Sequence, residues 1–349
     1  MKKKMEFEII SIPSLFESSQ TNLERTSKNL IKGLRIKIGD QHYIIGELAE
    51  NEGVMPHKEI NCSPDSLDYS LLLKSALLAA NSKKGNPLTV TTGFPFATYR
   101  INRDEALKNL IANHLIEFDG STHSTSNARK LVIEVKSGEI LPEVTAASIA
   151  VRKLEKVDHD FLMISLGYGT FETFFSTKDG EFAVQRSSSS SRGIVYAVDL
   201  LKAELNKLQY TSMQNDYYFD KALQNGFIFL NRKKIDVSKI RKKVLDSYYD
   251  NIITPHLKRA FTDKEFSKAK GIYLSGGGAL YPELVDRFKQ EFDGVIDIVV
   301  PEDPNFLAVK GYCLNSARIT GGDISQSVGI DLGNSSTLIC LMKNPEDNI

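Results

Sequence analysis

Two segments of the sequence carry the same pattern and align with each other without a gap. Residues 162–175 read LMISLGYGTFETFF, and residues 328–341 read VGIDLGNSSTLICL. Each has an apolar run, a turn of glycine and small polar residues, and a second apolar run, which predicts a strand, a turn and a strand. A strand pair alone is not stable, so each copy must belong to a larger sheet. The repeat therefore predicts two related sheets.

The turns of the two copies have the composition of phosphate-binding turns. Gly333 aligns with Gly167, and Asp331 aligns with Ser165. Glycine and serine allow backbone N–H groups to point into one cavity, where they can hold phosphate oxygens. An acid at the end of the first strand can hold Mg²⁺ through water. Two ordinary β-hairpins are the alternative, and a third glycine turn at residues 276–278 favours the phosphate-binding interpretation.

The first 150 residues mix predicted strands and helices, and the connections are long enough for parallel strand pairing. The strands are predicted at residues 6–14, 34–47, 88–93 and 130–135. The helices are predicted at 63–85, 102–115 and 144–154. Ser63 is the predicted N-cap of the first helix, with Pro64 at its first position and Gly85 at its end.

The pattern restarts at residue 161 with the first copy of the repeat. It continues with a strand at 182–186, a flexible loop at the serine run 187–191, a helix at 194–208 and a mostly helical, lysine-rich segment at 215–267. Pro255 should kink or break the longest helix of that segment. A strand, glycine turn and helix follow at 271–292, then a strand at 296–300, a helix at 306–319 and a linker at 319–327.

Composition narrows the class of protein. The 349 residues are 41% hydrophobic and 25% charged, which is typical of a globular chain long enough for two cores. Lysine plus arginine and aspartate plus glutamate number 44 each, so net charge gives no argument for a direct nucleic-acid or membrane partner and permits self-association. Three cysteines without metal-like spacing and no apolar segment of membrane length indicate a cytoplasmic protein.

Together these motifs resemble those of the actin, Hsp70 and sugar-kinase ATPase superfamily. GIDLGNSST (329–337) resembles its first phosphate motif, ISLGYGTFE (164–172) its second, and LSGGGA (274–279) its adenosine motif. Residues 142–147, PEVTAA, resemble the connecting motif of bacterial actins. Further landmarks resemble bacterial actins of the ParM type, namely Ile12-Pro13-Ser14, Gly46-Glu47-Leu48-Ala49, Thr92-Gly93-Phe94-Pro95 and Val309-Lys310-Gly311-Tyr312.

The resemblance implies an α/β fold with two actin-like (ribonuclease H-like) domains flanking a nucleotide cleft. Domain I would comprise residues 1–150 and 325–349, and domain II residues 151–324 with a helical insertion at about 209–268. In the family the first phosphate motif opens the chain, whereas here it follows the last helix. The order implies a circular permutation that leaves the first phosphate hairpin C-terminal, with EFEIISIPS (6–14) as its next strand.

The resemblance also assigns a site for ATP or ADP with Mg²⁺. Asp331 would hold the metal through water, and Glu143 would orient the attacking water as the catalytic residue. The nucleotide would contact three turns, made of Asp331, Gly333, Asn334, Ser335 and Ser336, then Gly167, Tyr168, Gly169 and Thr170, then Gly276, Gly277 and Gly278.

Two positions depart from the family pattern. Ser165 stands where the second phosphate motif normally carries an acid that orders Mg²⁺ and water, so slow hydrolysis is expected. Leu338 stands where many actins have a lysine. Glu172 lies past the turn and is not assigned the role of the missing acid.

Three functions compete on this basis. The first is an ATPase that polymerises into filaments and segregates plasmid DNA through a DNA-binding adaptor protein, without direct nucleic-acid or membrane contact, in agreement with the neutral net charge. The second is a non-polymerising actin-like nucleotide-binding scaffold, which Ser165 favours. The third is a small-molecule kinase, which needs a substrate-deprotonating acid for which the sequence offers no motif.

Overall fold

A computed structural model of the chain describes residues 5–58, 63–124, 128–179, 187–208 and 216–343. The chain divides into two units, each of which has its own sheet and hydrophobic core. Unit 1 contains Met1–Phe94, Thr98–Ala150 and Ala308–Ile349, and unit 2 contains Pro95–Ala97 and Val151–Leu307.

Strands and helices are interspersed along the described residues. The strands are β1 (Phe7–Pro13), β2 (Phe16–Ser18), β3 (Arg35–Ile38), β4 (Gln41–Ile45), β5 (Leu88–Phe94), β6 (Asn113–Asp119), β7 (Ala128–Pro142), β8 (Phe161–Leu166), β9 (Phe171–Ser176), β10 (Ser187–Ser190), β11 (Phe227–Leu230), β12 (Lys233–Asp236), β13 (Ile272–Ser275), β14 (Ile298–Val299), β15 (Ser327–Leu332) and β16 (Ser336–Met342). The α-helices are α1 (Glu47–Glu52), α2 (Leu67–Lys84), α3 (Phe96–Leu110), α4 (Glu143–Leu154), α5 (Val195–Leu208), α6 (Asp216–Asn225), α7 (Ser238–Tyr248), α8 (Thr254–Ala260), α9 (Asp263–Lys268), α10 (Pro282–Glu291) and α11 (Leu307–Ile319). A π-helical segment covers Tyr249–Ile253, and 3₁₀ turns cover Gly277–Leu280 and Pro304–Phe306.

The sheet of unit 1 joins the two ends of the described chain. Its nine described strands run in the order β1-β16-β15-β5-β7-β6-β3-β4-β2. β16 pairs antiparallel with β1, from Phe7 opposite Met342 to Pro13 opposite Ser336. β15 pairs antiparallel with β16 and parallel with β5. The prediction that the strand at 6–14 continues the sheet beside the C-terminal hairpin is confirmed.

Helix α2 covers part of this sheet and begins three residues later than the sequence predicted. Leu71, Ala76 and Leu77 are fully buried within the core of unit 1. The N-cap is Ser66, whose side chain accepts a hydrogen bond from Tyr69 N, so the prediction of Ser63 was wrong. Each serine can cap a helix, and the sequence alone did not distinguish the two.

The sheet of unit 2 contains the two strands of the repeat copy at residues 162–175 and the strand that leads into the glycine turn. Its described strands run in the order β10-β9-β8-β13-β14, with β8 antiparallel to β9 and parallel to β13. Leu162 and Ile164 on β8 and Leu201 on α5 are fully buried in its core. A separate two-stranded sheet is formed by β11 and β12.

The predicted helix at 102–115 was wrong at both ends. Helix α3 begins at Phe96, directly after Pro95, and the strand β6 begins at Asn113. In β6 the side chains of Ile116 and Phe118 are buried while Leu115 is exposed, so burial alternates as in a strand. The predicted strand at 130–135 is part of the fifteen-residue β7, which pairs with both β5 and β6.

One prediction in unit 2 was wrong. The serine run is not a loop, because Ser187–Ser190 form β10 and pair with β9. The segment predicted as mostly helical is mostly helical, and it also contains the β11–β12 hairpin. The strand predicted at 182–186 lies outside the described residues. Pro255 lies in the first turn of α8, directly after the π-helical segment, where the regular α-helix is interrupted as predicted. Among the described helices, none has the length and apolarity needed to span a bilayer.

Candidate functional site

The two copies of the repeat form hairpins with the same pairing register. Leu332 lies opposite Thr337 in the β15–β16 hairpin, and the aligned Leu166 lies opposite Phe171 in the β8–β9 hairpin. The gapless sequence alignment is therefore also an alignment of strand pairs. Each hairpin places a four-residue connection between its paired positions, at the carboxyl end of its first strand.

Ser14, directly after β1, holds the turn of the β15–β16 hairpin at residues 333–336. Its side-chain Oγ donates a hydrogen bond of 2.6 Å to the Gly333 carbonyl oxygen. Its backbone N–H donates to the Ser335 carbonyl oxygen at 3.2 Å. Its Oγ also lies 3.1 Å from the Thr337 Oγ1, and the residue is only 3% exposed. In the sequence Ser14 is a landmark of the ParM type, but no local pattern predicts its contact with a turn at the other end of the chain.

The turn of the β8–β9 hairpin, at residues 167–170, is held in a similar way by the residues at the start of α5. The backbone N–H groups of Gly193, Ile194 and Val195 donate to the carbonyl oxygens of Gly169, Gly167 and Tyr168, at 3.2, 3.0 and 2.9 Å respectively. A Cβ atom at Gly193 would lie 2.5 Å from the Gly167 carbonyl oxygen, so this approach requires glycine. Gly193 was missed as a site residue, although the glycine after the serine run was a visible signal.

The backbone orientation of both turns follows from these bonds. In a trans peptide the carbonyl and the next N–H point in opposite directions. Because the Gly333 and Ser335 carbonyls face Ser14, the N–H groups of the residues after them point to the opposite side of the turn at residues 333–336. By the same reasoning, three successive N–H groups at residues 168–170 point away from α5. Such groups form a concavity suited to an anion.

Asp331 is the acid at the end of β15, and its carboxylate lies beside the first turn. Its two oxygens lie 3.8 and 3.9 Å from the position that a Cβ atom of Gly333 would occupy. The residue is half-buried, and burial raises the pKa of its carboxyl to about 6. A nearby cation would favour the charged form. Among the described residues, no cluster of three or more acidic, histidine or cysteine side chains could hold a metal. A metal at Asp331 would thus depend on one carboxylate, water and ligand oxygens, which fits Mg²⁺.

The glycine turn at 276–278 packs against the end of β8 in the β8–β9 hairpin. Gly276 has φ of 82°, and a Cβ atom there would lie 2.5 Å from the Leu166 carbonyl oxygen. A Cβ atom at Gly278 would lie 2.5 Å from the Leu166 Cβ, whereas Gly277 has nothing within 4 Å of that position. Two glycines are therefore required by packing, and Gly277 leaves open space above the backbone.

Glu143 begins helix α4 directly after β7, and is half-buried. It belongs to unit 1, as do the β15–β16 hairpin and Ser14. A Cβ atom at Gly311 on α11 would collide with the Ala146 carbonyl, so α4 and α11 pack backbone to backbone. This contact fixes the first turn of α4, from which Glu143 projects.

An acid does lie opposite Ser165, but its carboxylate is held elsewhere. Glu172 pairs with Ser165 across β8 and β9 and is fully buried. Its Oε1 accepts a hydrogen bond of 2.5 Å from Phe96 N, the first residue of α3. A carboxylate at this position stabilises the positive end of the helix dipole.

Comparisons with known proteins agree with this arrangement. Residues 1–144 match the family model described as actin like proteins N terminal domain. The structure superposes on an archaeal actin homologue, Ta0583, in complex with ADP, with a TM-score of 0.70 at 16% identity, covering 88% of this chain and 92% of that one. A non-polymerisable quadruple mutant of pCBH ParM gives a TM-score of 0.68 at 16% identity, with 90% and 100% covered. A ParM subunit from a 15-stranded Clostridium botulinum filament gives 0.64 at 17% identity, with 88% and 92% covered. No curated protein matches the sequence.

The chain thus has the fold of actin-like proteins. Its resemblance to actin-like proteins of the ParM type is confirmed, with a family match over residues 1–144.

Proposed function

We propose that this protein binds ATP, hydrolyses it and assembles into filaments whose dynamics depend on the nucleotide. The observation that carries the proposal is the pair of hairpins with one register, each with its turn carbonyls held by a neighbouring segment. This leaves backbone N–H groups directed to the opposite side of both turns, where phosphate oxygens can accept from them.

The proposal includes a circular permutation, in which the first phosphate hairpin follows the last helix. It is supported by the sheet of unit 1, where β15 and β16 lie between β5 and β1. The hairpin therefore occupies an interior position in a sheet whose other strands come from residues 7–142. We propose domain I as residues 1–150 with 325–349, and domain II as residues 151–324.

Each site residue has a role in this proposal. Asp331 would hold Mg²⁺ through water, and the bound ion would supply positive charge to neutralise the phosphates. The turn at 333–336 holds the β-phosphate through its N–H and hydroxyl groups, and the turn at 167–170 holds the γ-phosphate. The open space above Gly277 admits the adenosine and α-phosphate. Glu143 accepts a hydrogen bond from the attacking water and orients it in line.

Hydrolysis should be slow because Ser165 carries no charge. The buried Glu172 opposite it is engaged with Phe96 N and does not supply that charge to the phosphates. Slow hydrolysis is compatible with filament dynamics, since only the difference between the ATP and ADP states must alter subunit affinity.

Support for assembly comes from relatives and from net charge. Structures with the same fold include a ParM filament from Clostridium botulinum and a Bacillus thuringiensis ParM with ATP. The net charge of zero removes long-range repulsion between copies. We propose that the filaments segregate plasmid DNA through a separate DNA-binding adaptor.

Sedimentation and light scattering with ATP, ADP and a non-hydrolysable ATP analogue test this function. We expect ATP and the analogue to produce polymer, and ADP to lower the amount. Nucleotide binding without polymer at any protein concentration would instead support the alternative, a non-polymerising scaffold, which the charge-free Ser165 favours. Failure to bind any nucleotide would refute both.

A further inference from the structure

An exposed apolar tip follows helix α1. Val54 is 94% exposed and Met55 is 73% exposed. The backbone around them is held in place, because Met55 N–H donates to Glu17 Oε2 at 3.0 Å, and Phe16 and His57 exchange two backbone hydrogen bonds at 3.1 and 2.7 Å. We call residues 54–55 the tip. An ordered surface of this kind binds at a lower entropic cost than a flexible loop.

The helix that leads to the tip is acidic. α1 reads ELAENE, with acids at positions 47, 50 and 52 and no basic residue. The Glu47 carboxylate lies 3.0 Å from the Lys32 Nζ. Glu52, the last residue of α1, is exposed, and its charge gives the surface next to the tip a negative character.

An aromatic depression lies on unit 2, between α6 and β11. It has a volume of about 390 Å³ and its lining includes Tyr218, Lys221, Phe227 and Phe229. Tyr218 is 47% exposed and Phe229 is 63% exposed. The Phe227 and Phe229 rings meet edge to face at 5.9 Å, which fixes one wall. Exposed aromatic surface of this kind marks interaction sites.

The rim of the depression is basic. Arg232, Lys233 and Lys234 are consecutive and exposed on the β11–β12 hairpin. Asn231 and Arg232 have φ of 49° and 64°, as in a two-residue hairpin turn that matches strand twist. Lys234 lies opposite Phe229 in the register, and its Nζ lies 3.9 Å from the Phe227 ring centre. The positive charge of Lys234 is therefore fixed beside the aromatic wall.

We propose that the tip of one copy of this protein docks into the aromatic depression of a second copy, with the acids of α1 against the basic rim. Met55 is flexible in shape and its sulfur packs well against aromatic rings. The two surfaces differ, so the contact is head to tail and leaves one tip and one depression free for further copies. It rests on the proposed function in that it supplies one subunit interface of the filament.

Other exposed apolar side chains fit the depression less well. Ile101 lies between Arg100 and Arg103, which would repel the basic rim. Leu115 and Val132 face each other on a sheet surface and do not protrude as a loop. Val295 lies between two acids but is a single side chain, and it therefore serves as a matched control.

Two variants test the contact without requiring a polymer. Each lacks one of the two surfaces, and we call them capped variants. Val54→Ser/Met55→Lys removes the tip and keeps the depression, whereas Phe229→Glu/Lys234→Glu does the reverse. Sedimentation velocity should find each variant monomeric and their equimolar mixture as a 1:1 dimer, because one tip and one depression remain. A mixture that stays monomeric would overturn the proposal.

A charge exchange tests the electrostatic part. Glu50→Lys/Glu52→Lys and Lys233→Glu/Lys234→Glu should each raise the critical concentration for assembly about tenfold or more. A chain with all four substitutions should assemble as the wild type does. Lys264→Glu/Lys268→Glu, an equal charge reversal on the exposed face of α9, and Val295→Ser should change nothing. Thermal unfolding checks that every variant folds.

The outcomes separate this inference from the proposed function. If the wild type forms polymer and the capped variants form it equally well, the contact is wrong and the filament stands. If the wild type forms no polymer with any nucleotide, the filament proposal is wrong, and the mixture of capped variants still decides whether the contact exists.

Discussion

The Ser14 side chain donates a 2.6 Å hydrogen bond to the Gly333 carbonyl across 319 positions of the chain. The bond lies between the end of the first strand and the turn of the last hairpin. It orients the Gly333 peptide so that the following N–H points away from Ser14. A buried serine directly after β1 therefore sets the direction of a backbone group that we propose binds phosphate.

Replacing Ser14 by alanine should weaken both the fold and nucleotide binding. The loss of one buried hydrogen bond should reduce the free energy of unfolding by about 1 kcal/mol and leave the Gly333 carbonyl unsatisfied. ADP affinity should fall as well, because the turn loses its constraint. Urea unfolding and ADP titration measure the two effects. Ser11→Ala on the exposed face of β1 is the control, and equal ADP affinity in both variants would contradict the role of Ser14.

A carboxylate introduced at Ser165 should have opposite effects on stability and on turnover. Ser165→Asp restores the acid that the family pattern has, so phosphate release should rise. It also places a charge directly opposite the buried Glu172, and like charges opposed across strands cost about 0.2–1 kcal/mol. In Ser165→Asp/Glu172→Gln the glutamine oxygen can still accept from Phe96 N, so stability should recover and the faster rate should remain. Unchanged phosphate release in both variants, with binding intact, would remove the explanation for slow hydrolysis.

The sequence was sufficient to find the turns but not what holds them. Glycine spacing and the apolar runs predicted the strand, turn and strand of each hairpin, because local composition determines a short turn. The partners of those turns, Ser14 and Gly193, come from other segments, and one of them lies 319 positions away. Such contacts depend on the tertiary arrangement. Glu172 shows the same limit, because its carboxylate is engaged by a helix end that follows a different strand.

Errors in the predicted elements have a similar physical origin. The apolar residues Ile111 and Leu115 are spaced like one face of a helix, yet both are exposed and Leu115 lies in β6. The serine run has low strand preference, but Ser187–Ser190 pair with the buried β9. In both places tertiary pairing overrides local preference.

Glutamine at position 143 should slow hydrolysis without affecting binding. Glu143→Gln keeps the size of the side chain and removes the carboxylate that we propose orients water, so phosphate release should fall about 10²-fold or more. ADP affinity should not change. Glu139→Gln is the control, because its carboxylate lies on β7 and accepts from Arg318 and Asn315. An equal rate for Glu143→Gln and the wild type would cancel the assignment.

His256 should make the protein less stable in mild acid. Its side chain is buried against the Phe171 ring at 4.9 Å, and burial lowers its pKa to about 4, from 6.5. Between these values the unfolded chain binds a proton that the folded chain does not. The stability from neutral His256 is therefore complete above pH 6.5 and is lost as the pH falls toward 4, by about 2 kcal/mol at pH 5.

His256→Phe keeps the ring contact and removes the titration. We expect urea unfolding of the variant to lose less stability than the wild type between pH 8 and pH 5. If the difference in unfolding free energy between the wild type and the variant stays constant across this range, His256 does not change its protonation on unfolding.

A chain reopened at the glycines of the connector between α11 and β15 should fold and bind nucleotide. Gly321 and Gly322 have positive φ, and neither has an atom within 4 Å of its Cβ position, so a cut between them disturbs little packing. After these glycines the connector is anchored beside β16, because Lys84 Nζ donates to the carbonyl oxygens of Ile324 in the connector and Met342 in β16, at 3.1 and 2.8 Å. The original ends can be joined, because Lys343 N–H donates to the Glu6 carbonyl at 3.0 Å where β16 and β1 pair.

The variant would begin at Gly322, run through Ile349 to Met1 and end at Gly321. Residues 344–349 and 1–4 would form the new connection, and closing a loop of this length costs little free energy. Its ADP affinity should equal that of the wild type, since each strand pairing and both turns are unchanged. The matched control has the same join but a cut between Asn334 and Ser335, inside the first turn, and it should fold with strongly reduced ADP affinity. If the Gly322 variant fails to fold while the control folds, the connector is part of the sheet's support and the permutation is not neutral. If both bind ADP equally, the turn at 333–336 does not hold phosphate.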